Sequence, residues 1–594
     1  MKIGQHKFLM ACILLFSISN FTFSKNIKEN NSTNFERPPW AGFYSNSRNE
    51  PIDTQQFPFI KGMADRIKWQ DVQPSENQYD WSKMDKNIRS AVKGRYYYYF
   101  VLWTGPHSPQ WIYEKGVPLV NTVGGPISEF PYYLSPIYIK YFHQFIDKLA
   151  EHIASLSEAE RKTIGFIQPA FGSTGDRQLY KGKPTDPQYK INDKQYLEFC
   201  SNATTRFYEA FDKPQLKQIK FLFNVDDEAE SDENQNNKLN GEQLYANWLR
   251  KNHKIDLRKQ QFTVAVGYQA NNEIKQDEKL RPSFFGSDGK APDLVRGEFS
   301  KFAEGAIFQE NPIWNYYWTA ISTVDRGLDL WEVDYKMVKT GLYNEAFDFA
   351  NKYAYYKQPQ TSPYAFIALR DVLDAADTDR FTEDDYGVAK QNNEFRIRKI
   401  ETDFASCGAK VGDLEAAKNL TGSNYLLKAK AMNDVGFGLI NRNYSRFITQ
   451  IEPNITSIGW WRVGPPNQPY GRYARAFENA SYKNRMYFDL NDDFIPQSGK
   501  TNKIEIKIIY LDEGTGTFSF RYDAQNNPDK LAEVIKKTNS KRWVERIITI
   551  KDGLFTNKGP KNSDFSLVNE DTENDMFHLI EVKKAILESL RTSN

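Results

Sequence analysis

The chain has 594 residues, too many for one hydrophobic core, so two to four domains are expected. Its 78 basic residues nearly balance 76 acidic ones, and a net charge of +2 argues against nucleic-acid binding on a broad basic surface. Aromatic residues reach 15%, an excess that fits two readings: large aromatic cores, or platforms for sugar rings, whose faces are apolar while their hydroxyls take polar partners.

The N-terminus reads as an export signal over residues 1–24. Lys2, His6 and Lys7 precede the apolar stretch Phe8–Phe16, and Thr22-Phe23-Ser24 offers a cleavage site. A lipoprotein reading through Leu9-Met10-Ala11-Cys12 is the weaker alternative, because so little apolar sequence precedes the cysteine. No later segment supplies about 18 uninterrupted apolar residues. The mature protein is therefore expected to lack a transmembrane segment and to be periplasmic, surface-held or secreted. Cys200 and Cys407 are far apart and match no metal or redox spacing, and the six histidines form no ligand pair. No cofactor and no catalytic metal are expected, although carboxylates alone could hold calcium.

Strands and helices then alternate. Trp40–Tyr44, Gly62–Trp69 and the aromatic run Arg95–Trp103 are predicted strands, with a charged helix from Ser82. A helix over Ser135–Leu156 leads to a fourth strand, Thr163–Ala170. Lys217–Asn224 and Gln261–Gly267 follow as fifth and sixth. Leu294–Glu298 and Leu328–Val333 are seventh and eighth, flanking an aromatic helix over Asn311–Val324. Eight β/α units in this order predict a (β/α)8 TIM barrel over residues 35–385.

Leu342–Tyr356, Ser362–Ala375 and Asn393–Lys410 read as helices, and residues 386–425 as a helical connection. From 426 to 594 the pattern becomes short runs separated by turns, among them Lys503–Tyr510, Gly516–Tyr522, Trp543–Ile550 and Met576–Val582. That predicts a C-terminal antiparallel β-sandwich. Tyr444–Ile451 and Ile455–Arg462 read as strands, the latter with room for a short helix. Gly464–Arg472 is a turn-rich loop, read as a sandwich corner.

The residues of the first half resemble clan A of the retaining glycoside hydrolases, nearest to family-42-type β-galactosidases and their relatives in bacterial polysaccharide degradation. The resemblance is carried by Trp69, Pro74, Tyr79 and Trp81 after the second strand. It is also carried by the loop Trp103–Pro118 after the third, and by Glu298, Trp314 and Gly327-Leu328-Asp329 in order. It implies a double displacement at the C-terminal strand ends. Glu298 would attack the anomeric carbon, and a second carboxylic acid would protonate the leaving oxygen. The substrate would be an oligosaccharide or polysaccharide with β-galactosidic linkages, such as an algal or other complex galactan.

The chain departs from that pattern at the fourth strand. Where the clan places a proton donor, this sequence has Ala170-Phe171, and phenylalanine donates no proton. Asp176, behind two turn-forming glycines, is the candidate acid/base. Asp226, Asp227 and Glu228 are alternatives, and a carbohydrate-binding protein without a proton donor is the alternative function. Trp103, Trp111, Trp314 and Trp331 are candidate sugar contacts or core residues, and Asn224 is a candidate hydrogen-bond donor to a hydroxyl. Glu298 also admits a structural reading, paired to Arg296 or Arg326.

Overall fold

The computed structural model describes residues 39–46, 50–125, 127–172, 179–224, 241–253, 257–258, 296–299, 312–325, 327, 329–356, 358–390, 393–409, 435–437, 442–463 and 472–584. The signal stretch, the strand expected over 261–267, the loop 464–471, Asp176, Asp226, Asp227 and Glu228 lie outside them.

Besides a small three-stranded sheet of Leu119–Val123, Glu129–Pro131 and Lys183–Pro184, the described residues of the first half hold nine strands: β1 (Gly42–Asn46), β2 (Ile60–Lys68), β3 (Tyr97–Trp103), β4 (Ile164–Ala170), β5 (Lys220–Phe221), β6 (Phe223–Asn224), β7 (Leu257–Arg258), β8 (Arg296–Phe299) and β9 (Leu330–Asp334). Seven of them form one sheet in the order β8-β9-β1-β2-β3-β4-β5, and every neighbouring pair is parallel. β6 continues β5 after Leu222 and pairs in parallel with β7. The last strands thus lie beside the first, the order a β/α barrel requires. Among the described residues the hydrogen-bonded circuit stays open between β7 and β8.

Alternation along these strands sorts the side chains into two layers. Tyr44, Ala64, Tyr99, Val101, Phe166, Ala170, Leu222 and Leu330 pack together on the inner face. Phe43, Met63, Ile67, Tyr98, Phe100, Leu102, Ile167, Trp331 and Val333 join the larger core under the helices. That layer includes α1 (Ser82–Gly94), α2 (Pro136–Ser155) and α3 (Asp193–Phe211). α2 starts at Pro136, suited to a first turn whose N–H has no partner, and buries Phe142, Phe145, Leu149 and Ile153 at helical spacing. α3 opens on a capping box between Asn192 and Gln195.

The Trp69–Trp81 segment is a brace. Trp69 is buried against Phe145 with ring centroids 5.2 Å apart, and its indole N–H donates to Gln73 Oε1 at 2.8 Å. Gln73 in turn donates to the Tyr79 hydroxyl, while Glu76 accepts from Tyr141 of α2.

The second half is built on a twelve-stranded antiparallel sheet with its own core. It begins earlier than the expected boundary at 426. The helix expected over Ser362–Ala375 is instead a strand, Tyr364–Ala368, paired with Met576–Lys584 on one side and Tyr444–Arg446 on the other, with the short strand Leu373–Asp374 after it. Its residues are buried on both faces, so they show no alternation and read equally as helix. The strands Asn502–Leu511, Thr517–Ala524, Trp543–Gly553 and Met576–Lys584 lie where the pattern puts them. Arg472–Ala476, Arg485–Leu490, Asn527–Lys536 and Phe565–Asn569 are additional.

α4 (Pro312–Asp325), between β8 and β9, joins the two halves. Tyr316 packs on Trp331 and Tyr343, while Trp318 meets Tyr444, Tyr473 and His578 of the sheet. Asp325, fully buried, takes both Arg442 guanidinium nitrogens at 2.8 and 2.6 Å and the Ser445 N–H at 2.8 Å. Arg446 donates to the carbonyl of Val324. Tyr317 donates to His578 Nε2 at 2.7 Å, while His578 Nδ1 donates to the carbonyl of Tyr473. Burial and the nearby Arg472 charge hold that imidazole neutral, with its pKa well below the usual histidine range. Arg37–Asn594 accordingly form one compact unit.

Candidate active site

The inner face of the parallel sheet carries a polar cluster between its aromatic residues. Glu332, at the centre of β9, is fully buried. Tyr99 of β3 donates its hydroxyl to Glu332 Oε2, and Arg66 of β2 brings a guanidinium nitrogen to 3.5 Å from Oε1. Tyr44 of β1 is the register partner of Glu332 and lies 5.7 Å, ring to ring, from Tyr99. Gln168 of β4, also buried, is the register partner of Val101.

Glu298 occupies β8 at the register position directly beside Glu332. In-register Cα atoms on neighbouring strands are about 4.8 Å apart. Two carboxylate-bearing residues are thus side by side in a parallel sheet.

Toward the C-terminal strand ends, Lys68 and Trp103 are register partners, followed by Ala170 next to Trp103. Trp103 is half-buried. His107 stacks on its ring, centroids 4.9 Å apart at 11°, and the Arg66 guanidinium lies 5.8 Å from the ring centroid. Burial and the Lys68 charge push the His107 pKa down to about 4, so this imidazole is neutral at physiological pH. Phe171, just past β4, is buried against Phe142, Phe199, Phe207 and Phe223. It belongs to the helical core.

Two of the tryptophans expected to meet sugar serve the core instead. Trp331 alternates with Glu332, faces the helices, and packs against Phe43 and Phe347 with 1% of its surface exposed. Trp111 donates its N–H to the Gln73 carbonyl at 3.1 Å and sets its ring edge-on to Tyr141. Both belong to the core packed outside the parallel sheet. Trp314 is on α4, and Asn224 ends β6 at the register position of Arg258. The sequence reading missed Glu332, Arg66 and Tyr99. Among the described residues, no group of three or more His, Cys, Asp or Glu side chains converges as a metal site, and Cys200 and Cys407 are both buried. No described helix is long and apolar enough to cross a membrane.

No protein-family model matches the chain, and no curated protein matches it. Among solved structures it is similar to the catalytic domain of a β-amylase from Paenibacillus polymyxa, at 11% identity and TM-score 0.38, over 53% of this chain and 98% of that one. It is also similar to a β-galactosidase from Rahnella sp. R3, at 12% identity and TM-score 0.33, over 50% of each chain. A third is an exo-β-1,4-mannosidase from Opitutaceae bacterium strain TAV5, at 12% identity and TM-score 0.32, over 54% of this chain and 58% of that one. With TM-scores below 0.5, fold and activity rest on the residues themselves.

Proposed function

We propose that the protein is a glycoside hydrolase that acts by a retaining double displacement, with its carboxylates on the parallel strands β8 and β9. The observation that carries this reading is the pair Glu298 and Glu332, side by side on β8 and β9, with Arg66 and Tyr99 holding the second of them. Retaining enzymes need two carboxyl groups about 5–5.5 Å apart, and in-register positions on neighbouring strands, whose backbones are about 4.8 Å apart, are compatible with that spacing. A nearby cation and an O–H donor favour a charged carboxylate, as the chemistry requires of one partner. The β-galactosidic linkage and the export of the protein rest on the sequence resemblance and the N-terminal pattern alone. Asp176 is the sequence-derived acid/base, outside the described residues.

The test is turnover of a panel of p-nitrophenyl glycosides, together with oligosaccharide release from agar, carrageenan and plant galactans, by wild type and Glu298→Gln. The expected result is activity on an aryl β-galactoside and on a galactan, with loss of galactan cleavage of at least a thousandfold in the variant. Glycan binding by wild type without turnover of any substrate would replace the hydrolase with a binding protein.

A further inference from the structure

We propose that Lys537 and Asp575 condense into an amide cross-link, lysine Nζ to aspartate Cγ, with loss of water and with Glu573 relaying the proton. The pair lies in the antiparallel sheet, apart from the carboxylates of the parallel one, and needs no substrate.

The geometry brings the three groups together inside the protein. Lys537 follows the strand Asn527–Lys536, and Asp575 precedes the strand Met576–Lys584. Their side chains are 2% and 1% exposed, and Lys537 Nζ lies 2.7 Å from Asp575 Oδ1. Among the described residues, neither Asp575 oxygen has a hydrogen-bond donor besides that lysine. Both backbones are fixed: Lys537 N–H donates to the Gly516 carbonyl, and the Asp575 carbonyl accepts from Phe477. Glu573 Oε2 stands 3.0 Å from the same nitrogen, while its Oε1 accepts from the Thr515 N–H. Gly514, at φ +85°, makes room for it: a Cβ there would lie 2.0 Å from Glu573 Oε2. Phe577, two residues past Asp575, packs on Phe477 and Phe518, which keeps this end of the core apolar.

A buried ion pair is a costly way to hold two strands, because both charges have left water. Condensation removes both charges. Two groups fixed in contact also react at an effective concentration of roughly 10⁵ M or more, against which the loss of one water is small. Burial works against the Lys537 charge, but Asp575 and Glu573 outweigh it and keep the amine as ammonium. The first step is therefore transfer of an ammonium proton to Asp575, whose pKa burial raises to about 6. The freed lone pair then attacks Cγ and the carbonyl π pair moves to oxygen. A nitrogen newly bonded to carbon is acidic, so even a weak base accepts its proton. Glu573 takes that proton and passes it to the hydroxyl oxygen, which leaves as water while the carbonyl re-forms. One ammonium and one carboxylate become one neutral amide and one water, and Glu573 ends as it began. Before the bond forms Asp575 titrates as a buried carboxyl group; afterwards it has no proton to exchange.

The bond would pin the end of an edge strand that pairs with one neighbour to the start of a strand inside the sheet. From residue 364 onward the chain has a single cysteine, Cys407, so no disulfide within this half can do the same.

The experiment is tryptic mass mapping of the purified full chain. The expected product is Lys537–Lys541 joined to Asn562–Lys583, lighter than the two peptides together by one water, with fragment ions placing the link at Lys537 and Asp575. Recovery of the two peptides unlinked from folded wild type overturns the proposal and leaves an ordinary ion pair. Two variants separate chemistry from packing. Asp575→Asn should give a linked peptide of the same mass, by losing ammonia in place of water; an unlinked, folded Asp575→Asn would contradict the attack on Cγ. Glu573→Gln should slow linking about a hundredfold, the lower range for a lost acid/base group; linking at the wild-type rate would remove Glu573 as the proton relay.

Discussion

Tyr99 donates its hydroxyl to Glu332, 233 residues further along the chain. The bond joins the third strand of the parallel sheet to the strand that closes back on the first. Both groups are buried, so neither finds a replacement partner in water when the other is removed.

Tyr99→Phe is therefore expected to weaken folding by about 1.5–3 kcal/mol, the range for a hydrogen bond to a charged group. It should also raise the Glu332 pKa, because the ionised form loses a donor. The acidic limb of the kcat/KM profile should move to higher pH, while the basic limb stays. Arg66→Met should move the same limb in the same direction. Urea titration and a pH–rate series on an aryl glycoside check both parts; a stability loss with an unmoved profile would make Tyr99 a packing residue only.

Gly62 is the register partner of Tyr44, and a Cβ there would overlap the Tyr44 ring. Gly62→Ala should cost roughly 1–3 kcal/mol, the range for overpacking a core. Because Tyr44 is also the register partner of Glu332, activity should fall more than stability does. A denaturation midpoint and aryl glycoside kinetics on one preparation would separate the two effects.

Removing Asp325 leaves the Arg442 guanidinium without its bidentate partner at the junction of the two halves. Asp325→Ala is expected to destabilise by about 3–5 kcal/mol, the range for breaking a buried pair. Fluorescence-detected unfolding in guanidinium should show the shift. A change under 1 kcal/mol would mean that the junction is held by its aromatic contacts alone.

Asp564, in the antiparallel sheet, sets a pH dependence of stability. Burial, with Asp489 and Asp523 nearby, raises its pKa to about 7 from 3.8. Between those values the folded state holds a proton that the unfolded state has released. Stability from this group is thus full below the unfolded pKa and is lost as pH rises toward 7, by at most about 1.4 kcal/mol per pH unit. Asp575, raised to about 6 mainly by burial, acts in the same sense. Asp564→Asn should flatten the fall in denaturation midpoint between pH 5 and 8 relative to wild type; an unchanged slope would remove Asp564 as its source.

Much of the parallel sheet was legible because its strands are bounded by turns and its helices carry a one-sided apolar stripe, as α2 does with Phe142, Phe145 and Leu149. The site was less legible. In Leu330-Trp331-Glu332-Val333-Asp334 the tryptophan draws attention, but period two puts Leu330, Glu332 and Asp334 on one face and Trp331 on the other. That alternation was available as a signal. The link from Tyr99 and Arg66 to Glu332 was not, since it depends on strands that meet only once the sheet curls. Among the strands of the second half, Asn527–Lys536 hid behind a proline and a helix-like run, Lys530-Leu-Ala-Glu-Val-Ile-Lys536, tolerated because it is largely solvent-facing and pairs with only one strand.

The helix α4 lies in sequence between the strand of Glu298 and the strand of Glu332, and it docks on His578, Tyr444 and Tyr473 of the far sheet. The strand that bears Glu332 is therefore entered from a helix braced by a surface that contributes nothing to the chemistry. Such a chain is not a catalytic cassette with a detachable accessory. Cut before the second half, it would expose Trp318 and Tyr317, free the helix to shift, and let the two glutamates drift apart. Its halves can change only in step with each other.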